Sequence, residues 1–195
     1  MDTHDREVLR RRSGSGELAL DVAYVTSLLR KGVLTPERVE LAGRLGHPVA
    51  GAIYPSKKRK LTEKQFQALL KNQTELGGDK SLRLFAVAFA RHVLPLFEER
   101  YPNDHRPRNA IEVAERFALG QASEAELRKG KHGAWDAAEV AEEAAGVAWA
   151  ATAAAATAGV AAAWAAVSAV DAAPNKKQER LFQRRLLGDF LLGLV

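Results

Sequence analysis

The stretch "VLPLFEERYPNDHRPRNAIE", running from Val93 to Glu112, decides the fold. It opens with apolar side chains at Val93, Leu94, Leu96 and Phe97, a spacing that suits a buried helical face. Pro95 removes one backbone donor within it, so a kink is expected near Arg91. Tyr101-Pro102 ends the helix, because the residue before a proline is driven out of helical geometry. Asp104 then has free amides ahead of it to accept from, and its charge suits the positive end of the next helix. Pro107 fits in a first turn, and Ala110 and Ile111 resume the apolar spacing. The stretch is a joint between two helices. Arg108 and Glu112, four residues apart, are expected to pair on one face. Two readings of the joint stay open. It is a rigid corner, or Glu98, Asp104, Arg106, Arg108 and Glu112 form an exposed charged patch that receives a partner.

Outward from the joint the text stays helical. The upstream helix is expected over about Ser81 to Tyr101, capped by Asp79 and burying Leu84, Val87, Ala88, Val93, Leu94 and Phe97. Before it, Thr62 opens TEKQFQALLKNQ, closed by Gly77-Gly78. Thr35-Pro36 starts a helix that runs to Gly46, and Pro48 permits a short one to Ile53. From Glu17 to Gly32 a further helix is expected to turn Leu18, Leu20, Val22, Val25, Leu28 and Leu29 inward. Downstream, the helix from about His105 stops at Gly120. Ser123 with Glu126 reads as a capping box. Lys129-Gly130-Lys131-His132-Gly133 is expected to break the helix that follows.

Between Glu143 and Asp171 lie 27 residues without a charge. That length would suit a membrane span. The residues are mostly alanine, which is a strong helix former but only weakly apolar, and Thr152, Thr157 and Ser168 interrupt them. The expectation is instead two close-packed helices, about Ala134–Ala158 and Val160–Ala172. Trp135, Val147, Trp149, Val160, Trp164 and Val167 would supply their bulk. A last amphipathic helix runs from Lys176 to about Leu192, with Leu181, Phe182, Leu186, Leu187, Phe190 and Leu191 inward. No stretch alternates long enough for a strand. The fold class is all-α, a multi-helix domain or helical array with an N-terminal helical appendage. The expected division is a flexible N-terminus over 1–16, a small helical module over 17–55, a basic linker over 56–61 and an all-helical domain over 62–195.

The chain has 195 residues and no cysteine, which excludes disulfides, thiolate catalysis and zinc–thiolate sites. No apolar leader opens it, so cytoplasm is the expected location. The net charge of +5 lies in the first sixty residues, which hold 12 basic side chains against 7 acidic ones. Lys57, Lys58, Arg59 and Lys60 are its densest run, and contact with nucleic-acid phosphate is the alternative use of that run. No aromatic side chains alternate with it, as a stacking platform for single strands would need. The five histidines, His4, His47, His92, His105 and His132, form no HExxH pattern, and no phosphate-binding glycine loop or nucleophile elbow occurs. No catalytic residue, metal or cofactor is therefore assigned. An enzyme with a dispersed polar site is a second alternative.

The central motif resembles the signature of immunity-protein family 5 of bacterial polymorphic toxin systems, "VLPLFE…P.D.RPR.AIE". The matching residues are Val93 through Glu98, Pro102, Asp104, Arg106, Pro107, Arg108, Ala110, Ile111 and Glu112. Alanine-rich helices follow in that family, as here from Ala134, and a closing aromatic–Gln pair is echoed by Phe182-Gln183. The resemblance spans roughly Ser81 to Leu192. It implies a non-enzymatic protein that binds and blocks a cognate toxin. Phe89 and Phe117 stand where the family tends to have Trp, and alanine replaces the histidines of its tract. Separately, Leu34–Gly51 resembles a short helical module found beside repeat arrays in myxobacterial and planctomycete proteins.

Overall fold

The computed structural model describes residues 17–54, 59–72, 76, 78–141, 145–155 and 158–194. The expectations for 1–16 and for the first half of the basic linker, 56–58, lie outside them. The described residues form ten α-helices and no strand, as the all-α reading expects. In chain order these are α1 (Glu17–Arg30), α2 (Pro36–Leu45), α3 (Pro48–Ile53), α4 (Glu63–Leu69), α5 (Gly78–Arg100), α6 (Arg106–Ala118), α7 (Glu124–Val140), α8 (Ala145–Ala154), α9 (Ala158–Ala172) and α10 (Lys176–Leu191). They group into two compact units. Among the described residues, one takes those up to Leu61 together with those from Arg184 on, and the other takes those from Thr62 to Gln183.

In the first unit, α2 starts with Pro36 at its first position and ends at Gly46, whose φ of 90° is left-handed and favours glycine. Val25, Val39, Val49, Leu187 and Leu191 are buried here. On α1 the inward face differs from the expected one. Leu18 and Leu20 are exposed, and Asp21 is buried one turn before Val25. His47 is also buried, with Nε2 2.9 Å from Asp189 Oδ1. Gly188 admits the imidazole, since a Cβ there would lie 2.7 Å from His47 Cδ2.

The second unit is built on α5, which continues through Pro95 and buries Phe85, Phe89, Val93 and Phe97. It begins at Gly78, so Asp79 lies inside its first turn and is not its cap. Arg83 is buried too. It donates to the Ala154 carbonyl at 3.2 Å, and its guanidinium lies 4.9 Å over the Phe117 ring. Burial pulls its pKa down. The capping box at α7 forms as expected: Ser123 Oγ accepts the Glu126 amide, and Glu126 Oε2 accepts the Ser123 amide at 2.8 Å. The expected break at Gly130–Gly133 does not occur, and α7 runs through it. The reason is a close approach: a Cβ on Gly130 would lie 3.3 Å from the Ala110 Cα on α6. The chain leaves the helix later, at Ala141, so the expected helix Ala134–Ala158 is two helices.

Helices α8 and α9 pack on each other and on α5. Ala148, Ala150, Ala151, Thr152, Ala153 and Ala154 are all buried, so α8 is enclosed on every side. The indoles do not fill this seam. Trp164 is 39% exposed, Val167 is exposed, and Trp135 sits partly exposed with its ring edge-on to Trp149 at 4.5 Å. Two alanine faces bring helix axes too close for a large ring between them, so the volume lies at the margins. Among the described residues no helix is long and apolar enough to cross a membrane.

The face of α10 also departs from expectation. Leu181 is 58% exposed, and Glu179 and Gln183 are buried instead. Gln183 Nε2 donates to the Ala166 carbonyl at 2.9 Å and to Glu179 Oε1 at 2.8 Å. The other Glu179 oxygen lies 2.6 Å from His92 Nδ1, and the His92 ring stacks on Phe182 at 3.7 Å. Around Ala166 the alanine helix offers α10 a backbone acceptor, and Gln183 uses it.

Candidate partner-binding cleft

Helix α5 places Arg91, Leu94, Pro95 and Glu98 on one stripe, at i, i+3, i+4 and i+7. Helix α6 places Arg108, Ile111, Glu112 and Glu115 on another with the same spacing. Each stripe opens with Arg and closes with Glu seven residues on. Joined by the short turn at 101–105, the two helices run in opposite directions, so each Arg meets the other helix's Glu. Arg91 donates to both Glu115 oxygens at 3.0 and 2.7 Å. Arg108 donates to both Glu98 oxygens at 2.6 Å. Arg108 therefore pairs with Glu98 and not with Glu112 as expected. The fork of Arg108 meets the Glu98 carboxylate face-on, whereas Arg-before-Glu is the weaker orientation along a single helix.

Between these two crossbars lies a cleft of about 170 Å³. Leu94, Pro95 and Ile111 give it an apolar floor, and Glu112 lies on its wall. Seven residues of helix separate the crossbars, a length of about 10 Å. Glu112 falls between them, four residues after Arg108 and three before Glu115. Its charge acts on both Arg91 and Arg108 and raises their pKa values, behind the larger contributions of Glu115 and Glu98 respectively. Among the described residues it makes no hydrogen bond or ion pair of its own.

The other two candidates, Asp104 and Arg106, close on each other. Arg106 donates from Nε to Asp104 Oδ1 at 2.9 Å and from its terminal nitrogen to Oδ2 at 2.6 Å. Asp104 Oδ1 also accepts the Arg106 amide at 3.1 Å, so it serves the start of α6 as expected, with His105 in the capping position. The hydrogen bonds from Arg106 hold the Asp104 carboxyl below its ordinary range. Those from Arg91 do the same for Glu115. Of the basic run, Lys57 and Lys58 lie outside the described residues, and Arg59 and Lys60 are exposed. Among the described residues no group of His, Asp and Glu is placed to hold a metal ion.

Arg91, Glu115 and the apolar floor were not among the residues expected from sequence. The signal that finds them is the repeated Arg-x6-Glu, Arg91–Glu98 and Arg108–Glu115, on either side of one turn. The family model described as "Imm-5 like putative immunity protein" matches residues 47–180, more than half of the chain. This chain belongs to that family of immunity proteins, and the match takes in both helices of the cleft. No curated protein and no solved structure matches it.

Proposed function

We propose that this protein binds a cognate protein toxin and neutralises it by covering the toxin's working surface, without turnover of a substrate. The observation that carries this reading is the family match over residues 47–180. The contact is made by the face of α5 and α6 around the cleft, with Glu98, Arg108 and Glu112 in it and Asp104 and Arg106 at its end. A cleft of about 170 Å³ holds one side chain. A stable interface buries roughly 1,200–2,000 Å², so the surrounding helix faces supply most of the contact and the cleft supplies register. The partner is thus a folded protein with a projecting side chain. The test is coexpression with the toxin encoded beside this gene, followed by hydrogen exchange on the purified complex. Cell growth should be restored, and amides of α5 and α6 around the cleft should exchange more slowly in the complex. Unrelieved toxicity, or slowing confined to other helices, refutes the reading.

A further inference from the structure

We infer that the cleft between α5 and α6 is an anchor slot for one cationic side chain, an arginine or a lysine, of the partner protein. This rests on the reading that a protein docks on this face. The two arginines at its ends are engaged: each guanidinium already makes two hydrogen bonds to one carboxylate. Their partners Glu98 and Glu115 are engaged in the same bonds. Glu112 is left, a carboxylate midway along the slot with no donor of its own. The slot's own lining carries two carboxylates and two guanidiniums. With Glu115, which neutralises Arg91 from outside the lining, the group has three carboxylates to two guanidiniums, and one entering cation balances it. An entering anion would meet Glu112, and each guanidinium is already neutralised by its own carboxylate. Leu94, Pro95 and Ile111 line the path to Glu112, and an aliphatic stem with a charged head matches that sequence of surfaces. The chain as a whole is basic, at +5. Recognition of a cation is therefore a local property of this slot and not of the overall field.

The test is an NMR titration of the isotopically labelled full chain with n-butylguanidinium and n-butylammonium chloride, against sodium butyrate at matched ionic strength. A cation should shift the amides of Leu94, Ile111 and Glu112 saturably, with a Kd of about 10 mM for so small a ligand. Glu112→Gln should weaken this at least fivefold, on the order of a lost charged contact. Glu99→Gln, a change at an exposed carboxylate outside the slot, should leave it unchanged. The inference falls if neither cation gives a saturable shift, if butyrate shifts the same amides equally, or if Glu112→Gln binds as wild type does. The exchange footprint of the toxin complex separates the two readings. A footprint elsewhere, with cations still held in the slot, overturns the docking reading. A footprint on α5 and α6 without cation binding overturns the anchor alone.

Discussion

Helix α5 is packed in two different ways by its neighbours. Toward α8 and α9 it meets a seam built almost wholly from alanine, while toward α6 it meets two arginine–glutamate crossbars over a small apolar floor. The seam asks only that nothing be large, and one alanine there is much like the next. The crossbars ask for particular charges at particular positions. The first arrangement supports stability, which scales with enclosed contact. The second adds little stability, because exposed ion pairs are each worth roughly 0.2–1 kcal/mol, but it fixes a shape and a charge pattern that a partner can recognise.

Four measurements would break or sharpen that contrast. Ala151→Leu should have the largest effect, since α8 is enclosed all round and has no free side on which to place extra volume. A cost of about 3 kcal/mol is expected, seen as a lower urea midpoint. An unchanged midpoint would mean the seam is loose. Next comes Trp164→Ala, at about 2 kcal/mol. That is less than the roughly 3–5 kcal/mol of a fully enclosed aromatic, because part of the indole already faces solvent. A loss at the top of that range would return Trp164 to the core. Third, a double-mutant cycle on Arg108→Ala and Glu98→Ala should give a coupling of about 0.5–1 kcal/mol. A coupling several times larger would make the crossbar a structural element comparable to the seam.

The smallest effect is on acid stability. Asp104 and Glu115 are held below their ordinary values in the folded chain, so the unfolded chain binds more protons than the folded one at mildly acidic pH. Their contribution is complete above the unfolded carboxylate values, at about pH 5, and is lost as pH falls through the lower folded values. Glu115→Gln should flatten that part of the profile. An identical acid profile in the variant would show that the Arg91 crossbar contributes nothing to the folded state.

The local signals in this chain were legible. Ser123 with Glu126, and Gly46 and Gly120, mark helix ends through bonds made within a few residues, and Pro36 marks a start through its fixed φ. Gly130 was not legible, because its meaning depends on the backbone of Ala110 on another helix. Trp164 and Leu181 were misplaced because apolar character shows preference for burial but not the space available for it. At the cleft, the structure brings Glu98, Arg108 and Glu112 together and leaves Asp104 and Arg106 bound to each other. Arg91 and Glu115 were missed because neither is meaningful until the two helices are set antiparallel.

The enclosure of α8 also bears on how this chain can change over generations. A single base change in an alanine codon gives Val, Thr, Ser, Pro, Gly, Asp or Glu. Of these, only Gly is smaller than alanine and Ser adds the least bulk, and Gly weakens the helix by about 1 kcal/mol. Positions such as Ala150, Ala151 and Ala153 therefore have almost no neutral neighbours in sequence space. The exposed lips of the cleft carry no such restriction. On the proposed docking reading, a lineage alters what it recognises by changes at Arg91, Glu98, Arg108 and Glu112 while the alanine tract stays as it is.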